Sequence, residues 1–190
     1  KNAVDVLGSY IQENSPNEQL GLTIYTSSNG TAVLERQLGQ DFSKVAEITR
    51  KRQAGHYQVY TNIYDGMRVG RLELEAHSRT NAQKLMVLMT DGQANLPYNA
   101  SYGKSYALQE ATRCTNSRIP IVTISLGAGA DSNLMDSIAN TTGGIHFNIP
   151  GGQTVEQYEE QLKNVFRRVA GDSGMVLVKS APGSADRSAQ

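Results

Sequence analysis

The sequence predicts an α/β fold with a doubly wound, mostly parallel central sheet, one antiparallel hairpin at its edge and helices on both faces. Short apolar runs alternate with segments of helical periodicity in the second half of the chain. Two of these runs, residues 85–89 and 119–126, are apolar almost throughout, which is typical of strands buried on both faces. Earlier, residues 20–26 and 31–38 flank a Ser-Ser-Asn-Gly turn, which indicates the hairpin.

The remaining elements follow in order from the same periodicities. Residues 1–12 carry apolar side chains at helical spacing and predict a first helix. Further helices are predicted over 41–52, after Gly66, over 102–116, from Asp131 to about 141, and over 155–170. Short strands are predicted over 145–149 and 175–178. We expect one domain over residues 1–179 and a disordered tail over 180–190, which is poor in large apolar residues.

Composition excludes several classes of function. The 18 basic and 18 acidic residues balance, and no long run of either sign occurs, which argues against nucleic-acid binding and against charge-driven membrane binding. No apolar run is long enough to insert into a membrane. Cys114 is the single cysteine and is expected to be a small buried apolar group on a helix. No nucleophile, base and orienting group form a recognisable set, so we expect no enzymatic activity.

Two polar loops carry the candidate chemistry. Asp91 directly follows the apolar run 85–89, which places its carboxylate at the carboxyl edge of the sheet, where ligands bind in open parallel folds. Thr61 lies in a second loop that we expect at the same edge. A hydroxyl and a carboxylate are both oxygen donors and suit a hard cation such as Mg²⁺. The alternatives are that Asp91 initiates a turn and that Thr61 caps the next helix.

Four segments together resemble the von Willebrand factor type A domain family. They are Thr-Asn-Ile-Tyr-Asp-Gly at 61–66, Val-Leu-Met-Thr-Asp-Gly-Gln-Ala-Asn at 87–95, Ile-Val-Thr-Ile-Ser-Leu-Gly at 121–127, and the segment 133–144 that ends in Thr-Gly-Gly. The similarity covers nearly the whole chain and implies a Rossmann-like fold. Within the family, residues 165–178 are most similar to bacterial proteins of tight-adherence pilus assembly (TadG-like), which implies an extracytoplasmic or cell-surface location.

The resemblance implies a metal-ion-dependent adhesion site built from three loops. Thr61 matches the threonine of the second loop and Asp91 the aspartate of the third. The ion would be Mg²⁺, or Mn²⁺ or Ca²⁺, and the partner a protein that offers an Asp or Glu. Tyr60, Asn62, Gln93 and Tyr98 are the predicted partner contacts. The family often has Gly-Gly before the threonine, whereas this chain has Val59 and Tyr60, so we expect a different loop shape.

The first loop, an Asp-x-Ser-x-Ser sequence, has no match in this chain, so the metal could be absent. In the family, this loop follows a central first strand, and losing some five or six buried apolar residues of that strand forfeits roughly 10 kcal/mol. Whole domains are stable by only about 5 to 15 kcal/mol. We therefore expect that either residues upstream of Lys1 or a strand from elsewhere complete the sheet. Residues 175–179 are a candidate, although the sequence after them lacks the aspartate.

Three functions remain open at this point. The first is a protein-binding or adhesion module that recognises a partner carboxylate through the cation. The second is a structural part of a pilus or cell-surface assembly, with a degenerate and metal-free site. The third is the type A domain of a metal chelatase or of another enzyme complex.

Overall fold

The computed structural model describes residues 7–9, 11–13, 16–25, 32–51 and 61–171. Residues 7–9 and 11–13 are helical, as predicted for the start of the chain. The predicted turn at 27–30, the strand at 175–178 and the tail at 180–190 lie outside the described residues. The elements that follow the first helical segment are β1 (Leu20–Ile24), β2 (Val33–Gly39), α1 (Phe42–Lys51), α2 (Ile63–His77), β3 (Met86–Thr90), α3 (Ala100–Asn116), β4 (Ile121–Leu126), α4 (Ser132–Thr142), β5 (His146–Ile149) and α5 (Val155–Gly171).

A parallel sheet of three strands, in the order β3-β4-β5, forms the centre of the described fold. Helices α2, α3 and α4 cover one face, where their apolar residues pack with Leu88 and Ile121. Helix α5 and the first helical segment cover the other face, where Val165 and Leu7 join one cluster with Val122 and Ile124. Helices on both faces of a parallel sheet confirm the predicted α/β architecture.

Strand β4 is buried along almost its whole length, as its apolar sequence predicts. The Thr123 hydroxyl on this strand is satisfied, because Oγ1 lies 2.9 Å from both Met135 O and His146 Nδ1. The Ser125 hydroxyl, two residues further along the strand, is also buried but has no hydrogen-bond partner among the described residues. Burial also lowers the pKa of the His146 imidazole. The neutral ring therefore suits this half-buried position better than a charged one.

Strands β1 and β2 form a separate antiparallel hairpin. The sequence predicts a hairpin at the edge of the sheet, but none of the described strands joins β1 to β3 by backbone hydrogen bonds. A cavity of about 1020 Å³ lies between them instead. Met86, Val87 and Met89 are consequently only half-buried, whereas the sequence predicts burial on both faces.

Helix boundaries follow their capping residues. The Asp131 side chain caps α4 by accepting a hydrogen bond from Leu134 N at 3.2 Å, and Gly143, with a φ of 75°, ends this helix in the left-handed conformation. Both features were expected from the sequence. No helix within the described parts of the chain is both long and apolar enough to cross a bilayer.

Candidate functional site

Thr61 is held at the carboxyl edge of the sheet by the loop that follows β3. Its backbone N–H donates to Asn95 Oδ1 at 2.8 Å, and Asn95 N donates to Thr61 O at 3.2 Å. This reciprocal pair shows that the Asn95 side chain ties the two loops together. Two segments that are 34 residues apart in sequence are thereby fixed side by side.

The Thr61 hydroxyl lies directly against Gly92, the residue after Asp91. A Cβ atom built on Gly92 would come within 2.9 Å of Thr61 Oγ1, so a larger residue at position 92 would push the Thr61 side chain away. The Asp91 side chain is exposed to solvent. The structure therefore brings the two predicted oxygen donors onto adjoining loops, with the carboxylate on the open side.

Thr61 does not cap helix α2, because Asn62 occupies that position. Asn62 Oδ1 accepts a hydrogen bond from Asp65 N at 3.1 Å, and the residue is only 2% exposed. Thr61 precedes the capping residue, and its hydroxyl faces the loop that contains Asp91 and Gly92. A side chain as buried as Asn62 has little surface to offer a partner, so we exclude it from the contacts proposed below.

Asp65 joins helix α2 to the hairpin. The sequence places it in the first helical turn, where the helix dipole stabilises a carboxylate, and the structure shows that it is also buried. Its carboxylate accepts hydrogen bonds from Ala32 N and, at 2.7 Å, from Arg68 Nε. Because both oxygens have protein donors, Asp65 supports the site and does not add a metal ligand.

A third loop, between β4 and α4, lies against the Asp91 loop. A Cβ atom built on Gly129 would fall 2.9 Å from Asp91 O, and Asp131 N donates to Gly92 O at 3.4 Å. The sequence predicts a strand over 119–126 and a helix from Asp131, with this loop between them, but it did not predict the contact of the loop with the site. The signal was its position, since it follows a strand that is parallel to β3.

Lys104 brings a positive charge close to these loops. Its Nζ atom lies 2.7 Å from Asp131 Oδ2, while the other Asp131 oxygen caps helix α4. Asp131 is therefore committed to protein partners, although its backbone N–H donates to Gly92 O. Lys104 was also missed, because nothing in the spacing of α3 relates it to Asp131.

Tyr25, which directly follows β1, closes the inner side of the site. Its hydroxyl donates to Met89 O, and its ring packs on Gly66 of helix α2. Burial raises the pKa of the Tyr25 phenol, and the negative charge of Asp91 raises it further. The phenol is therefore a fixed neutral donor at neutral pH.

The outer rim of the site is polar and aromatic. Gln93 is exposed, Tyr98 is 79% exposed and Tyr102 is 54% exposed. The two tyrosine rings pack edge to face, with centroids 5.7 Å apart. Asn99 holds this arrangement by accepting hydrogen bonds from Ser101 N and Tyr102 N. Tyr60, another predicted contact, lies outside the described residues.

The two predicted ligands have the chemical type that a hard divalent cation prefers, but they are too few to complete its coordination. Thr61 offers a hydroxyl and Asp91 a carboxylate, and no group of three or more His, Cys, Asp or Glu able to hold a metal occurs within the described ranges. Mg²⁺ usually takes six oxygen ligands, often including several waters. Two protein donors would therefore hold an ion weakly unless other oxygens complete its coordination.

Comparisons of the sequence and of the structure with known proteins point to the same family. The model of the von Willebrand factor type A domain matches residues 2–167. No curated protein sequence matches the chain. Three similar solved structures follow, and at their sequence identities the likeness shows the fold alone.

The SpRpn10 VWA domain is 13% identical, with a TM-score of 0.67 over 87% of this chain and 80% of that one. An aerotolerance-related membrane protein from Bacteroides fragilis is 14% identical, with a TM-score of 0.61 over 86% of this chain and 87% of that one. Proximal thread matrix protein 1 from the mussel byssus, solved with zinc in its adhesion-site motif, is 15% identical, with a TM-score of 0.62 over 92% of this chain and 43% of that one.

Proposed function

Since the chain belongs to the von Willebrand factor type A domain family, we propose that it binds a protein partner through a divalent cation held at the carboxyl edge of the sheet. Domains of this family are mainly interaction modules without enzymatic activity. In this proposal, Thr61 and Asp91 contribute oxygen ligands, directly or through water. An Asp or Glu of the partner takes an open coordination position.

The observation that carries this proposal is the contact between the Thr61 hydroxyl and Gly92, with Asp91 exposed beside it. Two oxygen donors of the right chemical type thus meet on an open edge of the sheet. Their loops are fixed by the reciprocal hydrogen bonds between Thr61 and Asn95. Binding would therefore require little reordering of the backbone, which favours affinity.

A bound cation would supply positive charge and a fixed geometry for an incoming carboxylate. The protein residues have the separate task of orienting that carboxylate and excluding competing ligands. Mg²⁺ is the first candidate, with Mn²⁺ or Ca²⁺ as alternatives, because all three accept oxygen ligands. The zinc-loaded adhesion site of the mussel byssus protein supports divalent binding by this fold, without fixing the metal for this chain.

The partner would contact the polar and aromatic rim next to the cation. Gln93 and Tyr98 are exposed there, and Tyr102 extends the aromatic surface. Tyrosine is common at the centre of protein interfaces because it buries a large area with little loss of side-chain freedom. The predicted contact of Tyr60 belongs to the same proposal.

A structural role in an assembly, with a metal-free loop, is the second candidate. It is favoured by the presence of only two oxygen donors at the described site, where the family pattern has five positions on three loops. The TadG-like similarity and a cell-envelope location stay predictions, and the membrane protein from Bacteroides fragilis supports them only by its fold. The chelatase alternative also stays a prediction.

A peptide selection tests the proposed function. A random peptide library is selected on the immobilised full chain in the presence of Mg²⁺, and bound peptides are eluted with EDTA. We expect the recovered peptides to share an Asp or Glu, and replacement of that residue by Asn or Gln to abolish binding. Asp91→Asn should lose the same peptides, whereas Asp136→Asn, which changes an exposed acid on α4, should keep them.

Two results would contradict the proposal. One is binding that survives EDTA, and the other is a set of peptides that binds Asp91→Asn as well as the unmodified chain. Either result would favour the metal-free structural role.

A further inference from the structure

The side chain of His146, the first residue of β5, is joined to β4 and to α4 through a single hydroxyl group. Its Nδ1 atom lies 2.9 Å from Thr123 Oγ1, and the same oxygen lies 2.9 Å from Met135 O on α4. Thr123 is fully buried, and its Cα atom is paired with that of His146 in the β4–β5 register. Three elements therefore meet at one side chain of β4.

The two contacts of Thr123 determine which nitrogen of the neutral ring carries the proton. The hydroxyl has one hydrogen to donate, and the Met135 carbonyl can only accept it. Thr123 Oγ1 then accepts a hydrogen bond from the ring, so the proton lies on Nδ1 of His146. With the proton on Nε2 instead, only one of the two contacts could be a hydrogen bond.

The second ring nitrogen of His146, Nε2, is buried and has no hydrogen-bond partner within the described ranges. Because Nδ1 already carries the proton, a second proton must add to Nε2. The ring would then hold a positive charge and a buried N–H donor without an acceptor, which is costly. Burial accordingly lowers the pKa of the His146 imidazole.

Few charged groups face the His146 ring. Asp136 on α4 favours the protonated ring through its negative charge, but in the described structure it forms no ion pair with it. The Asp136 carboxylate is exposed and already accepts a hydrogen bond at 2.8 Å from another side chain of α4. From β4, the ring meets the uncharged Thr123. Arg168 of α5 lies over the ring of Phe147, which alternation places on the opposite face of β5.

We propose that the contact of His146 with Thr123 and Met135, which we name the His146 latch, holds β5 to β4 and α4 at neutral pH and opens in mild acid. A protonated ring gains water and the field of Asp136 only by turning outward, and this movement breaks its hydrogen bond to Thr123. Because the folded pKa is lowered, the contribution of the latch is complete above the ordinary histidine pKa of about 6.5 and is lost as the pH falls below it.

Nuclear magnetic resonance of the imidazole nitrogens tests the latch in the unmodified full chain. At about pH 7.5 we expect the His146 proton on Nδ1 and none on Nε2. On titration to about pH 5, we expect protonation of Nε2 and loss of the hydrogen bond from Nδ1 to Thr123 in the same step. A neutral ring with its proton on Nε2, or a hydrogen bond to Thr123 that survives protonation, would overturn the proposal.

Amide hydrogen exchange measures the opening. Thr123 N donates to Ile145 O, so alternation along β5 directs the Phe147 amide to β4 as well. After correction for the intrinsic effect of pH, we expect this amide to exchange at least about tenfold faster at pH 5 than at pH 7.5. The Ile124 amide, which alternation directs to β3, should change by less than about twofold. Equal acceleration of both amides would mean that the whole sheet opens, which contradicts a local latch.

Two variants separate His146 from the other effects of acid. In His146→Asn the side-chain amide can donate to Thr123 in place of Nδ1 but does not titrate, so the acceleration at Phe147 should fall below about twofold. His77→Asn changes a half-exposed histidine that pairs with Glu73 on α2, and it should keep the full acceleration. Full acceleration in His146→Asn would overturn the proposal. If this variant does not fold, the nitrogen spectra of the unmodified chain decide. No metal is involved, so the outcome is independent of the proposed function.

Discussion

At the scale of single residues, the site depends on the contact of Thr61 with Gly92. A Cβ atom on residue 92 would come within 2.9 Å of the threonine hydroxyl, so the hydroxyl would have to move. The same contact positions the hydroxyl beside the exposed Asp91. A change of one methyl group at residue 92 should therefore affect both packing and metal binding.

Gly92→Ala should destabilise the protein by about 1 to 3 kcal/mol, because the added methyl group forces Thr61 away from a fixed loop. Urea unfolding of both proteins measures this difference. The control is Gly39→Ala in β2, where the nearest atoms to an added Cβ are 3.9 Å and 4.0 Å away, so we expect a change within about 0.5 kcal/mol. Equal stability of Gly92→Ala and the unmodified chain would contradict the close packing of the two loops.

Cys114 should resist alkylation in the folded protein. The residue is fully buried, and burial raises the pKa of its thiol to about 12, so the reactive thiolate is scarce at pH 8.5. Since the folded pKa is raised, the thiol starts to favour the unfolded state only above the ordinary pKa of about 8.5. We expect iodoacetamide to label the folded chain at least about 100-fold more slowly than the chain in urea. Comparable rates would show that Cys114 is accessible.

Residue identity predicted the centre of the site better than its surroundings. Asp91 could be found because it ends an apolar run, and Asn95 because an asparagine in a polar loop commonly ties it. Lys104 could not be found, since its contact with Asp131 depends on how α3 and α4 pack. Asn62 was predicted to contact the partner, because the sequence does not distinguish a buried capping side chain from an exposed one.

At the scale of elements, a buried charge network joins α2 to α3. Glu110 is 0% exposed, and its oxygens lie 2.6 Å from Arg71 Nε and 2.8 Å from Arg113 Nη1. Arg71 also pairs with Glu75 at 2.9 Å, on the more exposed side. The two helices are thus aligned by a carboxylate whose removal would leave the largely buried Arg71 with Glu75 as its remaining acidic partner in this network.

Glu110→Gln should lower the free energy of unfolding by about 3 kcal/mol, because it removes the buried partner of two arginines. Glu75→Gln changes the more exposed acid in the same network, and we expect a loss of less than about 1 kcal/mol. Chemical denaturation at neutral pH compares the two variants. A larger loss for Glu75→Gln than for Glu110→Gln would contradict the assigned roles.

Element boundaries were predictable to within a few residues where local chemistry sets them. Asp131 and Gly143 mark the ends of α4 in the sequence as well as in the structure. The burial of β3 was not predictable to the same degree. Its apolar sequence indicates burial on both faces, but Met86, Val87 and Met89 line the cavity between β1 and β3 and are half-buried.

At the scale of the whole molecule, the three-stranded sheet is more deeply buried than the hairpin. Strand β4 is buried between two covered faces, whereas β2 belongs to a two-stranded hairpin and is mostly half-exposed. We therefore expect β4 amides to be the slowest to exchange and β2 amides to exchange faster by at least about 100-fold. Exchange measured by mass spectrometry on peptic fragments tests this order. Equal protection of both strands would show that the hairpin and sheet open as one unit.

Fold class, helix order and the meeting of two loops at the carboxyl edge followed from sequence, because periodicity and strand direction are local properties. The resemblance also implies that a central strand is missing, but the position of the resulting gap, between the hairpin and β3, was not predicted. It depends on the pairing of strands that are distant in sequence, and no local pattern encodes the width of a gap.

The central claim is that Thr61 and Asp91 bind a divalent cation. Calorimetric titration of the full chain with Mg²⁺, repeated with Mn²⁺, tests it most directly. We expect one ion per chain, with affinity lost in Asp91→Asn, reduced in Thr61→Ala and unchanged in Asp136→Asn. The absence of binding at millimolar metal, or equal binding by the Asp91→Asn variant, would contradict the claim and leave the metal-free structural role.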